Sequence, residues 1–171
     1  NGCIYNYQKL KIELQSKGHH FISSCDTEVI CEGLVAEGPD FFKKMDGMFA
    51  IAAWNCKKRQ LWLSRDRFGV KPLYYFQKEG VFLFASEIKA FFPHPVFKSE
   101  LDQESLNEYF TFQNLFSYKT LFKGVHMLPP ANTVCVEIHK ELQHNSWWDY
   151  NYTAPDESIS LNDAVEETKR L

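Results

Sequence analysis

The 171 residues suffice for one domain with a substantial core and a short extension. Hydrophobic content of 44% and charged content of 24% are ordinary for a globular chain, and 15 Phe, 8 Tyr and 4 Trp argue for a packed sheet core and against disorder. The formal net charge of −3 leaves no basic footprint for nucleic acid, because the densest basic cluster, Lys57-Lys58-Arg59, reads as a solvated turn between strands.

The chain opens at Asn1 without an initiator methionine and reads as a fragment. Asn1-Gly2 leads as a turn into a first helix. There Tyr7, Leu10 and Leu14, broken by Lys9, Lys11 and Glu13, form an apolar stripe that Gly18 stops. Phe21-Ile22-Ser23 reads as a short strand. A second helix follows, with Asp26 as N-cap and Val29, Ile30, Leu34 and Val35 on its buried face. Glu37-Gly38-Pro39 closes it, and Phe41, Phe42 and Met45 suggest another helical turn.

The texture then changes to sheet. Residues Gly47 to Trp54 are almost wholly apolar, as expected of a strand buried on both faces. Asn55 to Arg59 is turn material, and Leu61-Trp62-Leu63 reads as the returning strand. Leu73 to Phe76 and Val81 to Ala85 flank Gln77-Lys78-Glu79-Gly80 as a hairpin. Ser86 to Phe92 is a short helix halted by Pro93 and Pro95, and a longer one runs from about Asp102 to Phe112. Leu128 to Asn132 is a turn, and Thr133 to Ile138 alternates like an edge strand. Trp147-Trp148-Asp149-Tyr150 leads into a polar linker, Asn151 to Glu157. Ser160 to Leu171 begins an amphipathic helix: Ser160 and Asp163 give an approximate capping box, while Leu161, Ala164, Val165, Thr168 and Leu171 form one face. Helices followed by antiparallel strands specify a layered α+β domain over 1–150, with 151–171 as linker and first helix of a second, truncated domain.

Few residues are set for metal or redox chemistry. Five cysteines (Cys3, Cys25, Cys31, Cys56, Cys135) without Cys-x-x-Cys spacing argue against a disulfide scaffold or zinc site and for reduced thiols in the cytoplasm. The close histidine pairs His19-His20 and His139 with His144 lack partners at ligand spacing, so no metal is expected. No apolar run approaches the roughly 18 residues of a membrane span.

Arg65-Asp66-Arg67-Phe68-Gly69-Val70-Lys71-Pro72-Leu73-Tyr74-Tyr75, Asp46-Gly47-Met48-Phe49-Ala50 and Ala85-Ser86-Glu87-Ile88-Lys89-Ala90 stand in order after Asn1-Gly2-Cys3-Ile4-Tyr5-Asn6 and Ser24-Cys25-Asp26-Thr27-Glu28-Val29. Together they resemble the N-terminal glutaminase domain of glutamine-dependent asparagine synthetases, and Thr120 to Val125 with Leu128-Pro129-Pro130 extend the likeness. The resemblance implies the four-layer αββα N-terminal nucleophile hydrolase sandwich, incomplete at its N-terminus. It also implies glutamine as substrate, hydrolysed at an N-terminal cysteine to supply ammonia for ATP-dependent conversion of aspartate to asparagine. That cysteine, an Arg-Gly-Pro-Asp segment and a carboxylate-binding arginine precede Asn1 in the family. ATP and Mg²⁺ are expected only in a synthetase domain beyond Leu171, so this chain itself has no cofactor and is expected to be inactive alone. A homodimer is compatible with the resemblance; nucleic acid and membrane partners are not indicated.

Carried over residue by residue, Asn1 and Gly2 match the family's oxyanion hole, in which an asparagine side-chain amide and a glycine N–H stabilise the tetrahedral intermediate. Read alone, the pair is an Asn-Gly turn. Asp26 matches the aspartate that pairs with the substrate's α-ammonium group, beside its simpler role as a helix cap. Glu28 is a favourable charge in the first helical turn. Cys3 stands where the family usually has glutamate at the substrate, and a thiol supplies neither the charge nor strong acceptors. Without an α-amino group on the same residue, Cys3 lacks the built-in base of an N-terminal nucleophile. Arg65 and Asp66 are expected to pair internally, with Gly69 and Pro72 shaping the turn beside them. Two other readings share the motifs: a catalytically inactive binding or regulatory module of the same fold, and an amidotransferase with a different acceptor.

Overall fold

The computed structural model describes residues 1–138, 140–151 and 158–170. His139, most of the expected linker (152–157) and Leu171 of the last helix's apolar face therefore lie outside the described residues. Strand β1 (Gly2–Ile4) opens the chain and is followed by α1 (Tyr7–Ser16), α2 (Asp26–Glu37) and a 3-10 segment, Gly38–Lys44. Then come β2 (Gly47–Asn55), β3 (Gln60–Arg65), the hairpin β4 (Tyr74–Lys78) and β5 (Val81–Ala85), and a 3-10 turn at Ile88–Phe91. Helix α3 (Gln103–Phe112), β6 (Val125–Met127), β7 (Asn132–Glu137), β8 (Gln143–Ser146) and α4 (Leu161–Arg170) complete it. No helix among the described residues is long and apolar enough to cross a membrane.

The strands form two antiparallel sheets, one of five strands in the order β1-β2-β3-β7-β8 and one of three in the order β5-β4-β6. The pleat sends alternate residues of the larger sheet to two cores. Phe49 and Trp62 face α1, α2 and the 3-10 segment, where Leu10, Leu14, Val29, Phe41, Phe42 and Met45 are buried. Their neighbours Ala50 and Leu63, with Val134, meet Leu73, Tyr75 and Leu128 between the sheets. The outer side of the small sheet packs Phe76 and Val125 on Phe91 and Phe97. Helix, sheet, sheet and a thin outer layer follow in that order, an α+β sandwich of the expected type.

Several expectations need correction. The first residues form a strand, because Gly2, Cys3 and Ile4 pair with Phe49, Met48 and Gly47; only a distant partner could show this. Phe21-Ile22-Ser23 is no strand. It is tied to α2 instead, since the Glu28 carboxylate accepts the backbone N–H groups of Ile22 and Ser23 at 2.9 and 2.8 Å and the Ser23 hydroxyl. Those bonds, the Ile22 N–H first, hold the Glu28 carboxyl below its usual range. Strand β2 is not buried on both faces along its length, as Trp54 is 53% exposed. Strand β7 is not an edge: it sits between β3 and β8, and the polar β8 is the outer strand. Val35 of α2 is 77% exposed rather than buried.

The Arg65-Asp66 pair is the sharpest revision. Both are buried, yet each is satisfied by backbone rather than by the other. Asp66 accepts N–H groups from Phe49, Phe68, Val70 and Lys71 at 2.9–3.2 Å. The Arg65 guanidinium donates to the carbonyls of Lys71, Leu128 and Gly69. A Cβ on Gly69, whose φ is +64°, would sit 2.9 Å from that guanidinium carbon, so glycine is required where the turn closes over it.

Candidate functional site

One open cleft of about 970 Å³ brings together all four sequence-predicted site residues, Asn1, Gly2, Cys3 and Asp26. Its walls are β1, the outer face of α2 (Thr27, Ile30, Cys31, Val35) and the far half of β2. Chain entry is fixed by β1. The Asn1 carbonyl accepts Ala50 N–H at 2.9 Å, its amino group donates to the Ala50 carbonyl at 3.2 Å, and Tyr5 N–H donates to Asp46 O at 2.7 Å. Asn6 closes the same corner, donating to Lys44 O and accepting Asp46 N–H.

This register decides what β1 offers the cleft. In an antiparallel ladder the N–H groups of successive residues point to opposite sides. Asn1 bonds inward to β2, so the N–H groups of Gly2 and Ile4 point outward. The outward Ile4 N–H confirms the alternation, because it donates to Asp26 Oδ2 at 3.1 Å. Gly2 N–H is thus directed to the same edge as the Asp26 carboxylate. The close approach of the strands demands the glycine: a Cβ there would lie 2.0 Å from the Met48 carbonyl oxygen.

Asp26 is the first residue of α2 rather than its N-cap, which is Cys25 and makes no side-chain capping bond. The cap reading fails because the carboxylate turns away from its own helix to β1. Its Oδ1 accepts only long contacts, from the Thr27 hydroxyl at 3.4 Å and the Cys25 thiol at 3.6 Å. Cys3 is exposed and, by the pleat, sits on the face of β1 opposite buried Ile4. The Ile4 N–H was missed at the sequence level, since a backbone group gives no residue-type signal. What the site can do chemically is present a fixed N–H donor and an amide side chain to a developing negative charge, beside a carboxylate suited to a cation. No group of three or more His, Cys, Asp and Glu set to hold a metal ion occurs among the described residues.

Comparison with known proteins gives this geometry a family. Residues 1–148 match the family model described as a glutamine amidotransferase domain. Asparagine synthetase [glutamine-hydrolyzing] 3 of Bacillus subtilis (strain 168) is 34% identical over the whole chain, which spans 28% of that relative. Asparagine synthetase [glutamine-hydrolyzing] 2 of the same organism is 45% identical over 56% of the chain and 12% of its own length. Amidase chry2 of Gibberella zeae is 31% identical over 89% of the chain and 22% of its own length. Among solved structures, a glutamine phosphoribosylpyrophosphate amidotransferase from B. subtilis, complexed with ADP and GMP, superposes on 86% of the chain and 28% of its own with a TM-score of 0.58 at 18% identity. A structure described as the allosteric regulatory enzyme of purine biosynthesis gives 0.61 at the same identity, covering 86% of this chain and 27% of its own. These two likenesses concern the fold.

Proposed function

Because the chain belongs to the glutamine amidotransferase domain family, we propose that it is the glutamine-binding part of a glutamine-hydrolysing asparagine synthetase, which releases ammonia for the amination of aspartate. The observation that carries this reading is the outward N–H of Gly2 beside Asn1, on the same β1 edge that Asp26 holds through Ile4. Hydrolysis of the glutamine amide passes through a tetrahedral oxyanion; the Gly2 N–H and the Asn1 side-chain amide stabilise it without reorganising. Asp26 takes the α-ammonium group of glutamine on the oxygen not committed to Ile4. Cys3 lies where a charged contact to the substrate would strengthen binding, and its thiol leaves that contact weak. No residue described here is assigned as the nucleophile in this reading. ATP and Mg²⁺ belong in this reading to a synthetase domain and to none of the residues described here. Residues 151–171 are then the linker and first helix leading to that domain, and the whole works in the cytoplasm.

The test is a glutaminase assay on the complete polypeptide. Asn1→Ala lowers kcat by ~10²–10³-fold with KM little changed, as loss of one oxyanion donor does, whereas Asp26→Asn raises KM. Absence of glutamate release from the complete wild-type polypeptide would sink the proposal. Cys3 supports a second reading, a non-catalytic module of the same fold. Calorimetry separates the two: Cys3→Glu tightens glutamine binding in the enzyme and leaves an inert module silent. A relative named as an amidase keeps a different acceptor in view, and product analysis of the complete polypeptide distinguishes it.

A further inference from the structure

We propose that Asn6 is a positioning residue for the oxyanion-stabilising strand: its side-chain amide seats β1 against β2 and so aims the Gly2 N–H and the Asn1 amide at the substrate. The role rests on the glutamine-hydrolysing reading given above. Asn6 stands at the N-cap position of α1, where asparagine is among the best capping residues, yet its side chain makes no capping bond. Its backbone, with φ −94° and ψ 18°, lies outside the extended region from which a cap reaches back over the first turn. Both ends of the amide go instead to residues 38 and 40 positions along the chain. Nδ2 donates to the Lys44 carbonyl and Oδ1 accepts the Asp46 N–H, each at 2.9 Å.

This grip matters because β1 has little else to hold its place along its own axis. The strand is three residues long and lies at the end of the larger sheet. Burial of Ile4 in the helix-side core decides which face turns inward, but apolar packing is not directional and does not fix the axial position. Hydrogen bonds do. The two made by Asn6 bracket Met45, which is 1% exposed, so β1 is fastened to a point that is itself set in the core. Tyr5 N–H adds its bond to the Asp46 carbonyl beside them. Counting back from this corner, the ladder places Gly2 opposite Phe49 with its N–H outward. A slip of one residue would turn that N–H into β2 and put the Cys3 donor in its place. A misplacement of about 1 Å is already enough to lower a rate up to ~10²-fold. Asp26 stands on a separate element, α2, so binding of the substrate's ammonium group is not under the same control.

The test pairs glutaminase kinetics of the complete polypeptide, well below the melting temperature of each variant, with amide hydrogen exchange at Ile4 and Ala50. Those two amides report the seat of β1, since Ile4 N–H donates to Asp26 and Ala50 N–H to the Asn1 carbonyl. Asn6→Ala should lower kcat by about tenfold or more while KM changes by less than about threefold. It should also speed exchange at Ile4 and Ala50 by about tenfold. Asn6→Asp keeps the bulk and the acceptor for Asp46 N–H but loses the donor to Lys44, and should fall between wild type and Asn6→Ala in both readouts. Should Asn6→Ala not fold, the comparison of Asn6→Asp with wild type decides. An unchanged kcat, a loss confined to KM, or unchanged exchange at Ile4 and Ala50 would each overturn the proposal. A wild-type polypeptide that releases no glutamate overturns the glutamine reading instead, and exchange alone then decides whether Asn6 seats β1.

Discussion

At the scale of single residues, Asp66 does the most for this fold. One carboxylate gathers four N–H groups from two segments, Phe49 of β2 and the turn Phe68–Lys71, while Arg65 collects the carbonyls of Gly69 and Lys71 in that same turn and of Leu128. Two buried charges are tolerable because each is hydrogen-bonded to fixed backbone dipoles. Asp66→Ala leaves those donors unsatisfied and removes the negative charge beside Arg65, and should cost about 3–5 kcal/mol in urea unfolding. The sequence motif made both residues conspicuous; it could not show that their partners are peptide groups, which carry no sequence signature.

At the scale of elements, the helix layer is joined in two ways. Gly33 sits inside α2 and is buried, with a Cβ there falling 2.2 Å from the Phe41 ring. Glycine costs a helix about 1 kcal/mol relative to alanine; here it makes room for Phe41 to close the 3-10 segment over α2. Gly33→Ala should therefore destabilise by about 1–3 kcal/mol despite its better helix propensity, measured by chemical denaturation. The second join is electrostatic. Lys17 and Lys44 each contact both Glu13 and Glu37 at 2.8–2.9 Å, linking α1, α2 and the 3-10 segment. Hydrogen bonds from Lys44 and then Lys17 bring the Glu13 carboxyl from 4.5 down to about 2, and the same lysines lower Glu37. A carboxylate with a lowered folded-state pKa stabilises the fold above its ordinary value and loses that contribution as pH falls through the lowered one. Thermal stability should accordingly drop between about pH 4.5 and 2, and Glu13→Gln should flatten that slope. Because the groups are partly exposed, the effect is modest and shrinks in high salt.

At the scale of the whole molecule, the body and its last helix are energetically separate. The cap expected for α4 is present, with Asp163 N–H donating to Ser160 Oγ at 3.2 Å, yet no residue of the helix is buried. Ending the chain after Tyr150 should leave the melting temperature of the body unchanged, as scanning calorimetry would show. A loss of several degrees would mean that α4 packs on the body after all. Helix α3 and the loop after it expose the aromatic side chains Phe110, Phe112 and Phe116, and that loop is pinned by Glu108, which accepts the N–H groups of Phe116 and Ser117.

The sequence by itself determined the family, the α+β class, the helix-to-sheet order and the identity of the candidate site residues. These depend on residue types at local spacing: apolar periodicity, glycine and proline punctuation, and ordered motifs. The tertiary structure decided what depended on partners far along the chain. It made Gly2-Cys3-Ile4 a strand rather than the continuation of a turn, moved the sheet edge from β7 to β8, and exposed Val35. It also turned Asp26 from a helix cap into the residue that holds β1. In each case the determinant was a backbone hydrogen bond or a packing face supplied by another element, and no local pattern of side chains encodes where that element will lie.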